Sequence, residues 1–131
     1  FVEPTPSSSL ARSGEDWHLI LGVEVERDEP VHLAYSVELL RPGFGWEILL
    51  MENDVPVASG AGAYDVELSV PRLPLAAGRY VVNVSLCAPL AGGRPTETVY
   101  DARSWYHGNG LTLEVDGPES RGVATLAGPP A

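Results

Sequence analysis

An all-β domain, a sandwich or a barrel, is predicted by three observations on this 131-residue chain. Apolar and polar residues alternate with a period of two in five separate segments. No window of ten or more residues carries a helical stripe. Gly, Pro and Asn punctuate the segments where turns belong.

Taken in order, residues 1–16 read as a flexible linker. Pro4, Pro6 and the run Ser7, Ser8, Ser9 offer too little apolar surface to offset the entropy of ordering. The folded domain is expected over residues 17–126, followed by a disordered tail at 127–131 that includes Gly128, Pro129, Pro130 and Ala131. Trp17, Leu19, Leu21, Val23 and Val25 form the first apolar row. After the polar break Arg27, Asp28, Glu29, Pro30, the pattern returns in Val31, Leu33, Tyr35, Val37 and Leu39. It recurs in Tyr64, Val66, Leu68, Val70, then in Tyr80, Val82, Val84, Leu86, and last in Leu111, Leu113, Val115. Such alternation predicts antiparallel strands with one face on a core and one in solvent. Between these, Trp46 to Glu52 alternates poorly because Ile48, Leu49, Leu50 and Met51 are contiguous. That predicts either a strand covered on both faces or one whose outer face meets a partner. Val55 to Ser59 reads as a short edge strand, since Pro56 is tolerated at an edge.

One local pattern favours the sandwich. Leu73, Pro74, Leu75 lead through Gly78 into Tyr80, the spacing of a tyrosine corner, in which a phenol hydroxyl bonds back to the preceding connection. The expected fold is therefore an immunoglobulin-like antiparallel β-sandwich. At this length one core forms without a metal or disulfide staple.

Composition narrows function. Eight Arg, no Lys and 18 acidic residues give a formal charge of −10. Such a surface repels phosphate backbones and anionic headgroups, so nucleic-acid and membrane-surface roles are poor fits. Cys87 is single and cannot pair within the chain, which permits a reducing compartment. With neither an initiator Met nor a leader pattern, the chain reads as a piece of something larger. No histidine spacing or CxxC supports a metal site, and no GxSxG elbow or phosphate loop is present. His18 and His32 fall on outward strand positions and read as solvated. No catalytic residue, cofactor or metal is expected. The domain itself is read as non-catalytic.

The aromatic residues are more informative. Trp105, Tyr106, His107 and Asn109 crowd one predicted loop, just after Asp101 and Arg103. Sugar rings stack their C–H faces on aromatic planes while their hydroxyls need polar partners, and this cluster supplies both. Trp46, after the turn Pro42–Gly45, is the second stacking candidate; Trp17 falls on the core side of its strand. The competing reading is that Trp105 plugs the end of the sandwich.

The stretch from Tyr64 to Tyr80, YDVELSVPRLPLAAGRY, resembles the central signature of the Wzt C-terminal domain family: an alternating strand, LPL, then GxY opening the next strand. The likeness continues in Val99, Tyr100, Asp101, in Leu111, Leu113, Val115 with Gly122 and Val123, and upstream in Glu29 to Leu33. Two departures stand out. Glu52 to Val55 replaces the usual dG turn, and the closing Trp is missing.

The resemblance implies an immunoglobulin-like domain fused behind the ATPase of a polysaccharide ABC exporter. Such a domain binds an O-antigen-like bacterial surface polysaccharide in the cytoplasm, at the inner membrane, and presents it to the transmembrane subunit. It implies a homodimer, because the transporter carries two ATPase chains. On chemistry alone, Trp105, Tyr106 and Trp46 would stack on sugar, and Asp101, Arg103, His107 and Asn109 would take hydroxyls. The acidic surface suits a neutral or positively substituted glycan. The alternative is an immunoglobulin-like protein–protein docking module with no sugar ligand, using an apolar patch of Trp46, Leu49 and Met51.

Overall fold

The computed structural model describes residues 1–2, 5–89 and 98–117. Among the described residues the chain forms eight strands and one 3₁₀ turn: β1 (Ser8–Arg12), β2 (Trp17–Val25), β3 (Val31–Arg41), β4 (Gly45–Ala58), β5 (Gly62–Val70), β6 (Gly78–Cys87), β7 (Val99–Arg103), the turn Trp105–His107, and β8 (Leu111–Asp116). They make an immunoglobulin-like β-sandwich. One sheet has the order β1-β8-β6-β3-β4, with β7 also on β6; the other is the hairpin-like pair β2-β5.

The alternating rows become the core, as their period requires. Trp17, Leu19, Leu21, Val23, Val66 and Leu68 of the small sheet face Leu33, Tyr35, Val37, Tyr80, Val82, Val84, Leu86, Leu111 and Leu113 of the large one. Leu73 and Leu75, from the LPL connection, are buried with them and close one end. Among the described residues no polar or charged side chain is fully buried.

The tyrosine corner forms: Tyr80 Oη donates to the Ala76 carbonyl at 2.6 Å. A second one sits at Tyr64, whose Oη donates to the Gly60 carbonyl at 2.8 Å. Both corners share a Gly-x-Tyr spacing, and the glycines, Gly62 and Gly78, hold φ of 149° and 158°. At Gly62 a side chain would also touch the Tyr64 ring at 3.4 Å. Tyr80→Phe is expected to cost about 1–2 kcal/mol, because it strips a part-buried carbonyl of its donor. Tyr64→Phe is expected to cost less, its bond being the longer. Urea unfolding of the two variants checks that order.

Four sequence expectations change. Residues 8–12, placed in the linker, are β1, which pairs in parallel with β8 from Ser8↔Thr112 to Arg12↔Asp116. The strand is short of apolar side chains and is held by main-chain bonds, by Ala11 against the core and by Trp17 Nε1 donating to Ser9 Oγ at 3.0 Å. This pair also makes the sandwich not wholly antiparallel. Val99–Arg103, which carries none of the alternating rows, is strand β7.

Fourth, the segments around Ile48 and Val55 are one edge strand. Its register against β3 slips between Val31 and His32, between Leu33 and Tyr35, and between Val37 and Glu38. Each slip adds one β4 residue and flips the parity of the side chains. Thus Ile48 and Met51 point outward while Leu50 faces Val37, and the apolar run needs no second cover. The end of the predicted domain at 126, the resemblance at Gly122 and Val123 and the 127–131 tail lie outside the described residues.

Candidate functional site

The site grows from a break in one strand edge. β6 offers a single edge to two partners: Gly78–Val82 pairs with β8 and Val84–Cys87 with β7. The chain leaves β7, makes the 3₁₀ turn, and returns along the same edge as β8. Asn83 lies at the gap between the two ladders. Its Oδ1 accepts the Trp105 backbone N–H at 2.9 Å, which pins the turn over the outer face of the large sheet. Gly110 lets the return strand pass against the turn; a Cβ there would lie 2.6 Å from the Trp105 nitrogen.

Trp46 enters from the far side of the same face, at the start of β4, where it pairs with Leu40. Three rings therefore meet. The Trp46 and Trp105 centroids are 5.1 Å apart and inclined at 63°. Trp105 and Tyr106 are 5.5 Å apart and nearly perpendicular, and Trp46 and Tyr106 are 6.4 Å apart. Edge-to-face packing is the arrangement that aromatic quadrupoles favour. Trp105 is 51% exposed and Tyr106 69%, so neither plugs the sandwich.

Beside the rings runs a shallow groove of about 260 Å³, lined by Ser36, Ile48, Met51, Asn83, Ser85 and Ser104 among others. These belong to outward rows that register brings side by side: Ser36 pairs with both Met51 and Asn83. Glu38 stands in the same row, opposite Ile48 and Val81. Its Oε2 accepts Ser36 Oγ at 2.6 Å and Asn83 Nδ2 at 3.0 Å. Sequence reading passed over Glu38, Asn83 and Ser36. Their alternation marked them as outward, but only cross-strand register places them beside the aromatic rings.

The polar candidates divide. Asp101 and Arg103 pair with Leu86 and Val84, on the row facing away from the three rings. There Asp101 Oδ2 accepts the amino group of Phe1 at 2.6 Å, and the Arg103 guanidinium lies 5.4 Å from the Phe1 ring centre. The structure thus does not bring them to the aromatic cluster; strand alternation along β7 separates them from Ala102 and Ser104. Asn109 is close to the turn, but its Oδ1 accepts the Ser104 N–H at 3.1 Å and its Nδ2 reaches the Ala102 carbonyl at 3.5 Å. It staples the loop. His107 ends the 3₁₀ turn, and its side chain lies outside what is described.

His32 is a correction to the solvated reading. Its side chain is 18% exposed, and its Nδ1 lies 2.6 Å from Asp54 Oδ1. Asp54 occupies the β4 bulge with a φ of 60°. Cys87 pairs with His32 across the sheet. Burial first, and the Asp54 carboxylate second, push its thiol above the ordinary range, which disfavours the reactive thiolate. His18 is exposed, between Glu67 at 2.9 Å and Ser69 at 3.2 Å. Among the described residues no group of three or more His, Cys, Asp and Glu is placed to hold a metal ion, and no helix is long and apolar enough to cross a membrane.

No protein-family model and no curated protein sequence matches the chain. Among solved structures it is similar to WR4, a C. elegans MSP family member, at 10% identity and a TM-score of 0.33, over 85% of this chain and 94% of that one.

Proposed function

We propose that this domain is a non-catalytic carbohydrate-binding module, with Trp46, Trp105 and Tyr106 as its stacking platform. The observation that carries the reading is the convergence of three rings, two of them at least half exposed, on an open sheet face beside a shallow, mostly apolar groove that Ser36, Asn83, Ser85 and Ser104 edge with polar groups. Apolar ring faces and nearby side-chain amide, hydroxyl and carboxylate groups are the two halves of sugar recognition. An open face suits a polymer chain better than a small molecule, which needs enclosure.

The resemblance to the Wzt C-terminal domain extends the proposal. In that setting the ligand is a bacterial surface polysaccharide, and the partners are an ATPase domain and the transmembrane subunit of an ABC exporter. The domain would work as a homodimer in the cytoplasm, at the inner membrane. Cys87, free and half-buried, is compatible with that compartment.

The test is a titration of the chain with a panel of bacterial surface polysaccharides, followed by tryptophan fluorescence. One glycan is expected to give a saturable change, and Trp105→Ala, folded by circular dichroism, is expected to weaken it about tenfold or more, at about 1.4 kcal/mol per tenfold. A glycan bound equally well by Trp105→Ala would remove the rings from the site.

A second reading has its own support. Leu40, Phe44, Ile48 and Met51 are all exposed on the β3–β4 hairpin, with Met51 at 59%. Such a patch suits protein docking. Silence across the panel, together with ATPase-domain binding that is lost in Met51→Glu, would favour it.

A further inference from the structure

We propose that Glu38 makes this face selective for a sugar carrying a free ammonium group, an amino sugar within the glycan. The inference rests on the carbohydrate reading above and deepens it to a ligand class and a specificity-determining residue.

Three observations converge on Glu38. The first is position. Glu38 is two residues along β3 from Leu40, the partner of Trp46, which sets the two rows roughly 6.6 Å apart. On its other side, Asn83 joins the Glu38 carboxylate to the Trp105 backbone, through Nδ2 at 3.0 Å and Oδ1 at 2.9 Å. The carboxylate thus sits between the footings of the two tryptophans.

The second is an imbalance within the carboxylate. Oε2 takes both donors, Ser36 Oγ and Asn83 Nδ2, and is held by them. Among the described residues Oε1 receives no hydrogen bond, and no cationic side chain pairs with Glu38. The nearest arginine along β3, Arg41, is paired with Glu47. A half-buried carboxylate accepts only, and an unpaired one invites a donor.

The third is the nature of the best donor. A sugar hydroxyl would serve, but an ammonium forms a charge-assisted bond about twice as strong as a neutral one. The same ammonium would also lie near aromatic faces whose quadrupole attracts cations. The formal charge of −10 draws cationic ligands to the whole molecule and disfavours anionic ones. Each of these effects favours a protonated amino sugar over its neutral, acetylated counterpart.

The experiment compares glucosamine oligomers with N-acetylglucosamine oligomers of equal length, at a pH where the free amine is protonated. Binding to the full chain is followed by tryptophan fluorescence, for the parent and for Glu38→Gln, which keeps the shape and one acceptor. The parent is expected to bind the free-amine oligomer about tenfold more tightly, and Glu38→Gln to lose that preference, the ratio of its two affinities falling to about one. Trp105→Ala is expected to weaken both.

Equal affinity of the parent for the two oligomers overturns the assignment. So does a preference that survives in Glu38→Gln, since diffuse attraction to the acidic surface ignores one side chain. If neither oligomer binds but a neutral polysaccharide does, in a manner sensitive to Trp105→Ala, the ammonium assignment falls and the carbohydrate reading stands. If no saccharide of any kind binds, both fall.

Discussion

Replacing Trp17 by Ala is expected to lower the unfolding free energy by about 3–5 kcal/mol. Trp17 is 1% exposed, opens β2 opposite Val70, and is the largest side chain in the core. Its removal takes roughly 150–250 Å² of packed surface from the interior and leaves a cavity that rigid strands cannot close. It also frees Ser9 Oγ from the Trp17 Nε1 donor, the side-chain bond that joins β1 to β2. A domain of this kind has about 5–15 kcal/mol in total, so the variant would sit near its unfolding threshold. Urea denaturation followed by circular dichroism is the measurement, with the midpoint falling and the slope unchanged. Trp17→Phe, which keeps most of the volume but not the donor, should recover part of the loss. A drop under about 1 kcal/mol would show that the core does not depend on this ring.

Gly110→Ala is expected to weaken ligand binding about tenfold or more without unfolding the domain. The added Cβ would meet the Trp105 nitrogen at 2.6 Å, the Ser104 carbonyl carbon at 2.8 Å and the Trp105 Cα at 3.2 Å. All three are backbone atoms, so no rotamer relieves the clash and the 3₁₀ turn must move. The Asn83 Oδ1 bond to the Trp105 N–H and the edge-on contact with Trp46 move with it. Overpacking of this kind costs about 1–3 kcal/mol, which the sandwich can absorb because the turn is peripheral to its core. Expected together are a shifted tryptophan emission, a cooperative urea transition and loss of glycan binding comparable with Trp105→Ala. Parent-like emission and affinity would mean that the turn has more room than its geometry allows.

These two positions also separate what could be read in one dimension from what could not. Trp17 was legible because period-two alternation from Trp17 to Val25 assigns one face of β2 to the core. The same rule located the interior faces of β3, β5, β6 and β8. The Gly-x-Tyr spacing before Tyr80 announced a corner, and its repetition before Tyr64 would have announced the second. The density of Trp105 and Tyr106 after β7 was visible as a candidate platform, as was Trp46.

The role of Gly110 was not legible, because nothing local says that another backbone segment lies against it. Nor was the division of the polar candidates. Asp101 and Arg103 are four and two residues from Trp105, yet β7 turns them away from the rings, whereas Glu38 and Asn83, distant in the chain, lie beside them. Strand β1 escaped notice because it is held by main-chain bonds to β8 and by small side chains, which leave no apolar rhythm.

Fold class, the core rows and the aromatic candidates are written locally, because each depends on near neighbours along one strand or turn. Which rows adjoin, where β4 bulges, and which polar groups share a face with the rings are settled by long-range pairing. The physical reason is that strand pairing joins backbone groups that are the same in every residue. Side-chain pattern chooses the face of a strand, and long-range register then decides its neighbours.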